Sequence, residues 1–88
     1  MLRKARWRST VAEVSNRFIT KGNKCAVAYY GHKFYYIVER IGYHGDKYYT
    51  AAVMDTRPAR YKSAWSSPNK VFHSFDEGIY YHENYVFV

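Results

Sequence analysis

The chain holds one cysteine, Cys25. A single thiol excludes an internal disulfide and a thiolate metal cluster within one chain. Lying in an apolar stretch, Cys25 reads as a small buried hydrophobe, since a nucleophilic cysteine needs an electropositive, accessible setting. The two prolines and five glycines stand singly, and no internal repeat or low-complexity tract interrupts the 88 residues. One domain over residues 1–88 is therefore expected, too small for a deep cleft between lobes. No apolar run approaches the ~18–20 residues of a membrane span, and Met1-Leu2-Arg3-Lys4 leads into polar sequence rather than the core of a signal peptide. A cytoplasmic location with no membrane partner is the expectation.

Catalytic spacings are missing too. His32, His44, His73 and His82 could in principle serve acid–base chemistry with Asp46, Asp55, Asp76, Glu77 or Glu83, but neither H-x-E nor H-E-x-x-H occurs. His73, Asp76, Glu77 and His82 lie close in sequence, yet acidic residues gather at a helix start for dipole reasons alone. The reading is of a protein that is not an enzyme, with no catalytic residue, metal ligand or cofactor assigned.

Acidic residues are the last scarcity, seven against fourteen Lys and Arg, giving a formal charge of +7. The imbalance is uneven. Residues 1–24 carry seven basic and one acidic side chain, whereas residues 73–88 carry three acidic and none basic. A concentrated positive field attracts anionic partners, and a separate acidic end is free to meet a basic surface.

What the chain has in quantity is aromatic surface, a fifth of its residues, including eleven tyrosines. With nearly half the residues hydrophobic, the composition is that of a folding domain and not of a disordered chain. Thr10-Val11-Ala12-Glu13 matches a capping box, and Val11, Val14 and Phe18 follow at helical spacing, with Arg17 and Lys21 near the expected C-terminal end and Gly22 closing it. The β-branched content there also permits a strand. Lys24 to Tyr30, Lys33 to Ile41 and Lys47 to Asp55 are rich in Tyr, Val, Ile and Phe and are separated by turn residues, which predicts a three-stranded antiparallel meander. Alternation places Phe34, Tyr36 and Val38 on one side of the second strand, and Tyr35, Ile37 and Ile41 on the other.

Residues 56–70 read as a long basic loop, with a short strand at Lys70 to His73. Ser74-Phe75-Asp76-Glu77 is a second capping box, opening a helix over about residues 75–84 whose stripe is Phe75, Ile79, His82 and Val86. The expected fold is α+β: a three- or four-stranded antiparallel sheet packed against one or two helices, in the order α-β-β-β-(β)-α. Several nucleic-acid-binding domains share that order, the double-stranded-RNA-binding domain among them, but their diagnostic residues are absent.

Basic residues interleaved with aromatics form the strongest functional pattern. Arg3, Lys4, Arg6 and Arg8 flank Trp7 in a basic N-terminal arm over residues 1–8, and Arg57, Arg60 and Lys62 flank Tyr61 with Trp65 nearby. Such cations neutralise phosphates and release counterions, while flat rings stack on unpaired bases. For Trp7 and Trp65 a core position comes first and stacking second. The expectation is non-catalytic, largely sequence-independent nucleic-acid binding, RNA ahead of DNA, through Arg3, Lys4, Arg6, Arg8, Arg17, Lys21, Lys24, Arg57, Arg60 and Lys62. The alternative is a small protein–protein adaptor or inhibitor, of the kind phages encode against host enzymes, using a Tyr-rich face. The oligomeric state stays open, a homodimer included.

Overall fold

The computed structural model describes residues 6–13, 19–55 and 70–88. Five strands, β1 (Trp7–Val11), β2 (Lys24–Tyr30), β3 (Lys33–Ile41), β4 (Lys47–Asp55) and β5 (Val71–Phe72), form one antiparallel sheet in sequential order. A helix, α1 (Phe75–Tyr81), follows and runs on into a π-helical turn over His82–Val86. The short connections enforce the meander. Tyr30 pairs with Lys33 across Gly31 and His32, which both take positive φ, 57° and 64°. Two left-handed residues suit a two-residue hairpin because they follow the right-handed strand twist. Glycine adopts that geometry freely, whereas His32 does so at some steric cost.

The expected first helix is not where its capping box lies. Thr10 and Val11 belong to β1, paired with Cys25 and Lys24. Pairing also continues past the strand, because the Ala12 amide donates to the Asn23 carbonyl at 2.8 Å and the Gly22 amide to the Ala12 carbonyl at 2.7 Å. These bonds satisfy backbone groups that a helix start would leave for its cap, and the β-branched pair Thr10 and Val11 suits a pleated strand. Gly22 still punctuates the chain, at φ 93°, but in a turn leading to β2. The remainder of that expected helix, residues 14–18, lies outside the described residues. The sheet has five strands instead of three or four, and the likeness in element order to the double-stranded-RNA-binding domain falls because the described elements open on a strand. Trp7 and Arg8, the last residues of the expected basic arm, are in the sheet, and residues 1–5 lie outside the described residues.

Each strand alternates between two faces. The helix face carries Ala26, Ile37 and Phe72, buried, with Trp7, Tyr49 and Ala51 around them, and receives Phe75, Ile79 and Tyr81. His82 and Phe87 complete that layer, with the Trp7 ring 5.5 Å from the former and 5.8 Å from the latter. Trp7 is thus a core anchor; Trp65 lies outside the described residues. Ser74 caps α1 as expected, its Oγ accepting from the Glu77 amide at 3.1 Å, but the Glu77 carboxylate reaches one residue further back, to the His73 amide at 3.2 Å. On the second face Cys25, Val38 and Ala52 are buried with Ala12 and Ile19, and Tyr36 packs beside them. Among the described residues no helix is long and apolar enough to cross a membrane.

Candidate nucleic-acid interface

Four of the cations expected to bind nucleic acid are described, and all four are exposed: Arg6 just before β1, Arg8 within it, Lys21 in the turn before β2, and Lys24 at the start of β2. Arg3, Lys4, Arg17, Arg57, Arg60 and Lys62 lie outside the described residues. Strand alternation separates the members of the group. Arg8 pairs with Val27 and shares the second face with Thr10, whereas Lys24 pairs with Val11 and projects on the helix face.

The sheet also gathers its carboxylates on one face, while its cations are divided between the two, Lys24, Lys33 and Lys47 lying on the helix face. On the second face the described strands present Arg8 and Arg40 and no carboxylate. Glu39 and Asp55 alternate onto the helix face, where α1 and the π-helical turn add Asp76, Glu77 and Glu83. Glu39 is engaged there, accepting from the Tyr49 hydroxyl at 3.3 Å and facing the Lys47 ammonium at 4.0 Å. Arg40 was not singled out from sequence. Its place two residues beyond Val38 was the available signal, because a two-residue step returns to the same face. The Arg40 Nε donates to the Thr50 hydroxyl at 3.0 Å, which holds the guanidinium along the sheet.

Aromatic rings accompany these arginines. Tyr29, Phe34 and Tyr36 line the second face, with centroids 5.2 Å apart for Tyr29 and Phe34 and 6.4 Å for Phe34 and Tyr36. Tyr29 is half exposed and the other two are partly so. Burial pushes the Tyr36 hydroxyl pKa up and the Cys25 thiol beside it adds to the rise, while the Arg8 charge pulls the other way. Where β1 meets the segment carrying Ile19, a cavity of about 220 Å³ opens on this face. Val27, Ala12 and Ile19 provide apolar lining, and Arg8, Thr10, Glu13 and Tyr36 provide polar groups.

The groups considered for catalysis are dispersed. His32 and His44 sit in exposed turns, His73 is exposed ahead of α1, and His82 is buried. The His82 Nδ1 donates to the Gly78 carbonyl at 2.7 Å, and burial lowers its pKa against the opposing effect of that bond. Cys25 is buried, with its Sγ 3.4 Å from the Asn23 carbonyl. Burial raises the thiol pKa, outweighing the Ala12 backbone bond and the Arg40 charge. Among the described residues no three His, Cys, Asp or Glu side chains are grouped to hold a metal ion. No protein-family model, no curated protein and no solved structure matches the chain, so no relative supplies a role for these residues.

Proposed function

We propose that the protein is a non-catalytic, largely sequence-independent nucleic-acid-binding protein that takes RNA in preference to DNA. The observation that carries this reading is the sorting of carboxylates across the sheet: the described strands present Arg8 and Arg40 but no carboxylate on the second face, and the acidic helix packs on the opposite one. Polyphosphate approaching the second face meets cations from the strands, while the helix carboxylates that would repel it stand behind the sheet. Arg6 ahead of β1 and Lys21 ahead of β2 add exposed positive charge at the two opposite ends of that strand pair. The RNA preference rests on the rings of Tyr29, Phe34 and Tyr36, because unpaired bases are more often presented by RNA loops and single strands.

The test is a salt titration of binding to generic RNA. With about five phosphates neutralised, log K falls against log salt with a slope of roughly −3.5 to −4.5. Affinity that stays flat from low to moderate salt overturns the proposal.

A second reading is favoured by a separate observation. Tyr80 and Tyr85 are 63% and 66% exposed on the acidic C-terminal element, and large amphipathic rings beside carboxylates suit a basic protein partner. In that reading the protein is an adaptor or inhibitor, and the two surfaces are distinct enough for one chain to hold RNA and a protein target together.

A further inference from the structure

We infer that the second face is built for unpaired bases, with the cavity beside β1 taking one base of a single-stranded RNA and Tyr36, Phe34 and Tyr29 offering a stacking row next to it. This rests on the nucleic-acid reading above and names the form of nucleic acid that it takes.

The cavity sets the size of the guest. At about 220 Å³ it falls below the roughly 300–1,000 Å³ of pockets that enclose drug-sized ligands, so it suits one flat ring system and not a whole nucleotide chain. Its apolar lining, Val27, Ala12 and Ile19, suits the face of a base. Its polar groups sort themselves by charge. Arg8 attracts the phosphate next to that base, whereas Glu13 repels phosphate and accepts from an exocyclic amino group. The backbone is thereby directed along Arg8 and the base inward. Tyr36 lines the cavity and also stands 6.4 Å from Phe34, which stands 5.2 Å from Tyr29. The rings therefore lead away from the cavity along the sheet, and stacking on such rings tolerates any base because every base has a π-face.

Duplex RNA fits this surface poorly. Its bases are already paired and stacked, so neither the cavity nor the rings gain a contact, and only the arginines contribute. The site therefore discriminates strand form, and any sequence preference is confined to the one base in the cavity, where Glu13 favours a base with an exocyclic amino group.

The experiment compares three labelled probes at one salt concentration: a single-stranded 12-mer RNA, its duplex, and a 12-mer of the same charge with abasic positions through its centre. The intact single strand binds about tenfold tighter than the other two, a ratio typical of one or two base–aromatic stacks. Tyr29→Leu, at a half-exposed ring, and Tyr36→Leu, which keeps apolar bulk at a partly buried one, each shrink that ratio toward one and leave duplex affinity within about twofold. Circular dichroism confirms that both variants are folded, and the exposed Tyr29 position carries the test if Tyr36→Leu is not. Equal binding of intact and abasic strands overturns the inference while sparing the charge-based reading. A ratio unchanged in a folded Tyr29→Leu variant also overturns it, because the base contacts then lie elsewhere. Failure of all three probes to bind overturns the nucleic-acid reading itself.

Discussion

Gly78 of α1 lies so close to Ile37 of β3 that a Cβ on the glycine would stand 2.8 Å from the isoleucine Cδ1 and 3.1 Å from its Cγ2. Phe72 closes the other side, also at 3.1 Å. Glycine within a helix costs about 1 kcal/mol relative to alanine, and here the absence of a side chain lets the helix settle onto the sheet. Gly78→Ala is expected to destabilise despite the better helix propensity, since overpacking a core costs about 1–3 kcal/mol. Trimming Ile37 to Val removes the Cδ1 atom, so the double variant should lose less than the two single losses combined. Urea denaturation of all four proteins measures the coupling.

The Trp7 indole is held between the sheet and the C-terminal turn, and its Nε1 is buried with no hydrogen-bond partner among the described residues. Trp7→Phe removes that unsatisfied donor and keeps a ring against His82 and Phe87. Its expected cost is within about 1 kcal/mol, because the lost packing is offset by the lost desolvation penalty. Trp7→Ala removes the ring altogether and is expected to cost about 2–3 kcal/mol, below the range for a fully buried tryptophan. Thermal melting of the two variants separates these outcomes.

How much of this was legible in sequence depended on the range of the interaction that decides each element. The bounds of β2, β3 and β4 follow from alternation and turn residues that lie within the strands and their own hairpins. The first capping box misled because Thr10 and Glu13 are a local signal, while the bonds from Ala12 to Gly22 and Asn23 join backbone groups ten and eleven residues apart, a span that no short window contains. The second box succeeded because α1 has its cap and its apolar stripe in one stretch. Neither the partnership of Trp7 with Phe87 nor the π-helical turn was legible. That turn lets the Phe87 amide donate to the His82 carbonyl, five residues back, at 2.7 Å, and places the Phe87 ring in the core. For the interface, alternation already put Phe34, Tyr36 and Val38 on one side, but the opposed faces of Arg8 and Lys24 needed the pairing of β1, whose residues read in sequence as basic arm up to Arg8 and as helix from Thr10.

His82 gives the fold a pH dependence of calculable sign. Its folded pKa lies below the ordinary 6.5 because burial among the rings of Trp7, Tyr35, Phe72, Tyr81 and Phe87 disfavours the imidazolium. The unfolded chain therefore binds this proton more readily than the folded one. Its contribution to stability is complete above pH 6.5 and is lost as the pH falls from there toward the folded pKa. His82→Gln, which has no titrating group, is expected to lower stability at neutral pH and to flatten the dependence between pH 5 and 7. Denaturant midpoints across that range provide the check.

Arg8 and Lys24 are both exposed cations on the β1–β2 edge of the sheet, yet only Arg8 shares a face with the aromatic row. Arg8→Ala is expected to weaken RNA binding several-fold and to reduce the magnitude of the salt slope by about one, as for the loss of a single phosphate contact. Lys24→Ala should change affinity by less than twofold. Stability should hardly move in either case, since exposed charges contribute little. Paired titrations at three salt concentrations distinguish them, and a larger effect from Lys24 would shift the binding surface to the helix side.

The C-terminal helix is expected to serve stability or a protein contact and to stand clear of bound RNA. Asp76, Glu77 and Glu83 belong to the element packed on the helix face, and they would repel phosphate brought close to it. Ser74 starts that element through the bond from the Glu77 amide to its Oγ, 3.1 Å long. Loss of such a cap costs ~1 kcal/mol, a sizeable part of a small domain's stability. Ser74→Ala should therefore lower the melting temperature by several degrees, while RNA affinity per folded molecule stays nearly unchanged. Glu83→Lys lies outside the cap and adds positive charge behind the sheet, so it should strengthen RNA binding slightly through the long-range field, and less so as salt rises. Melting and RNA titration on both variants decide the matter. Intact melting with abolished RNA binding in Ser74→Ala would assign this end of the chain to the RNA surface, because a cap that contributes nothing to stability but everything to affinity must be touching the ligand.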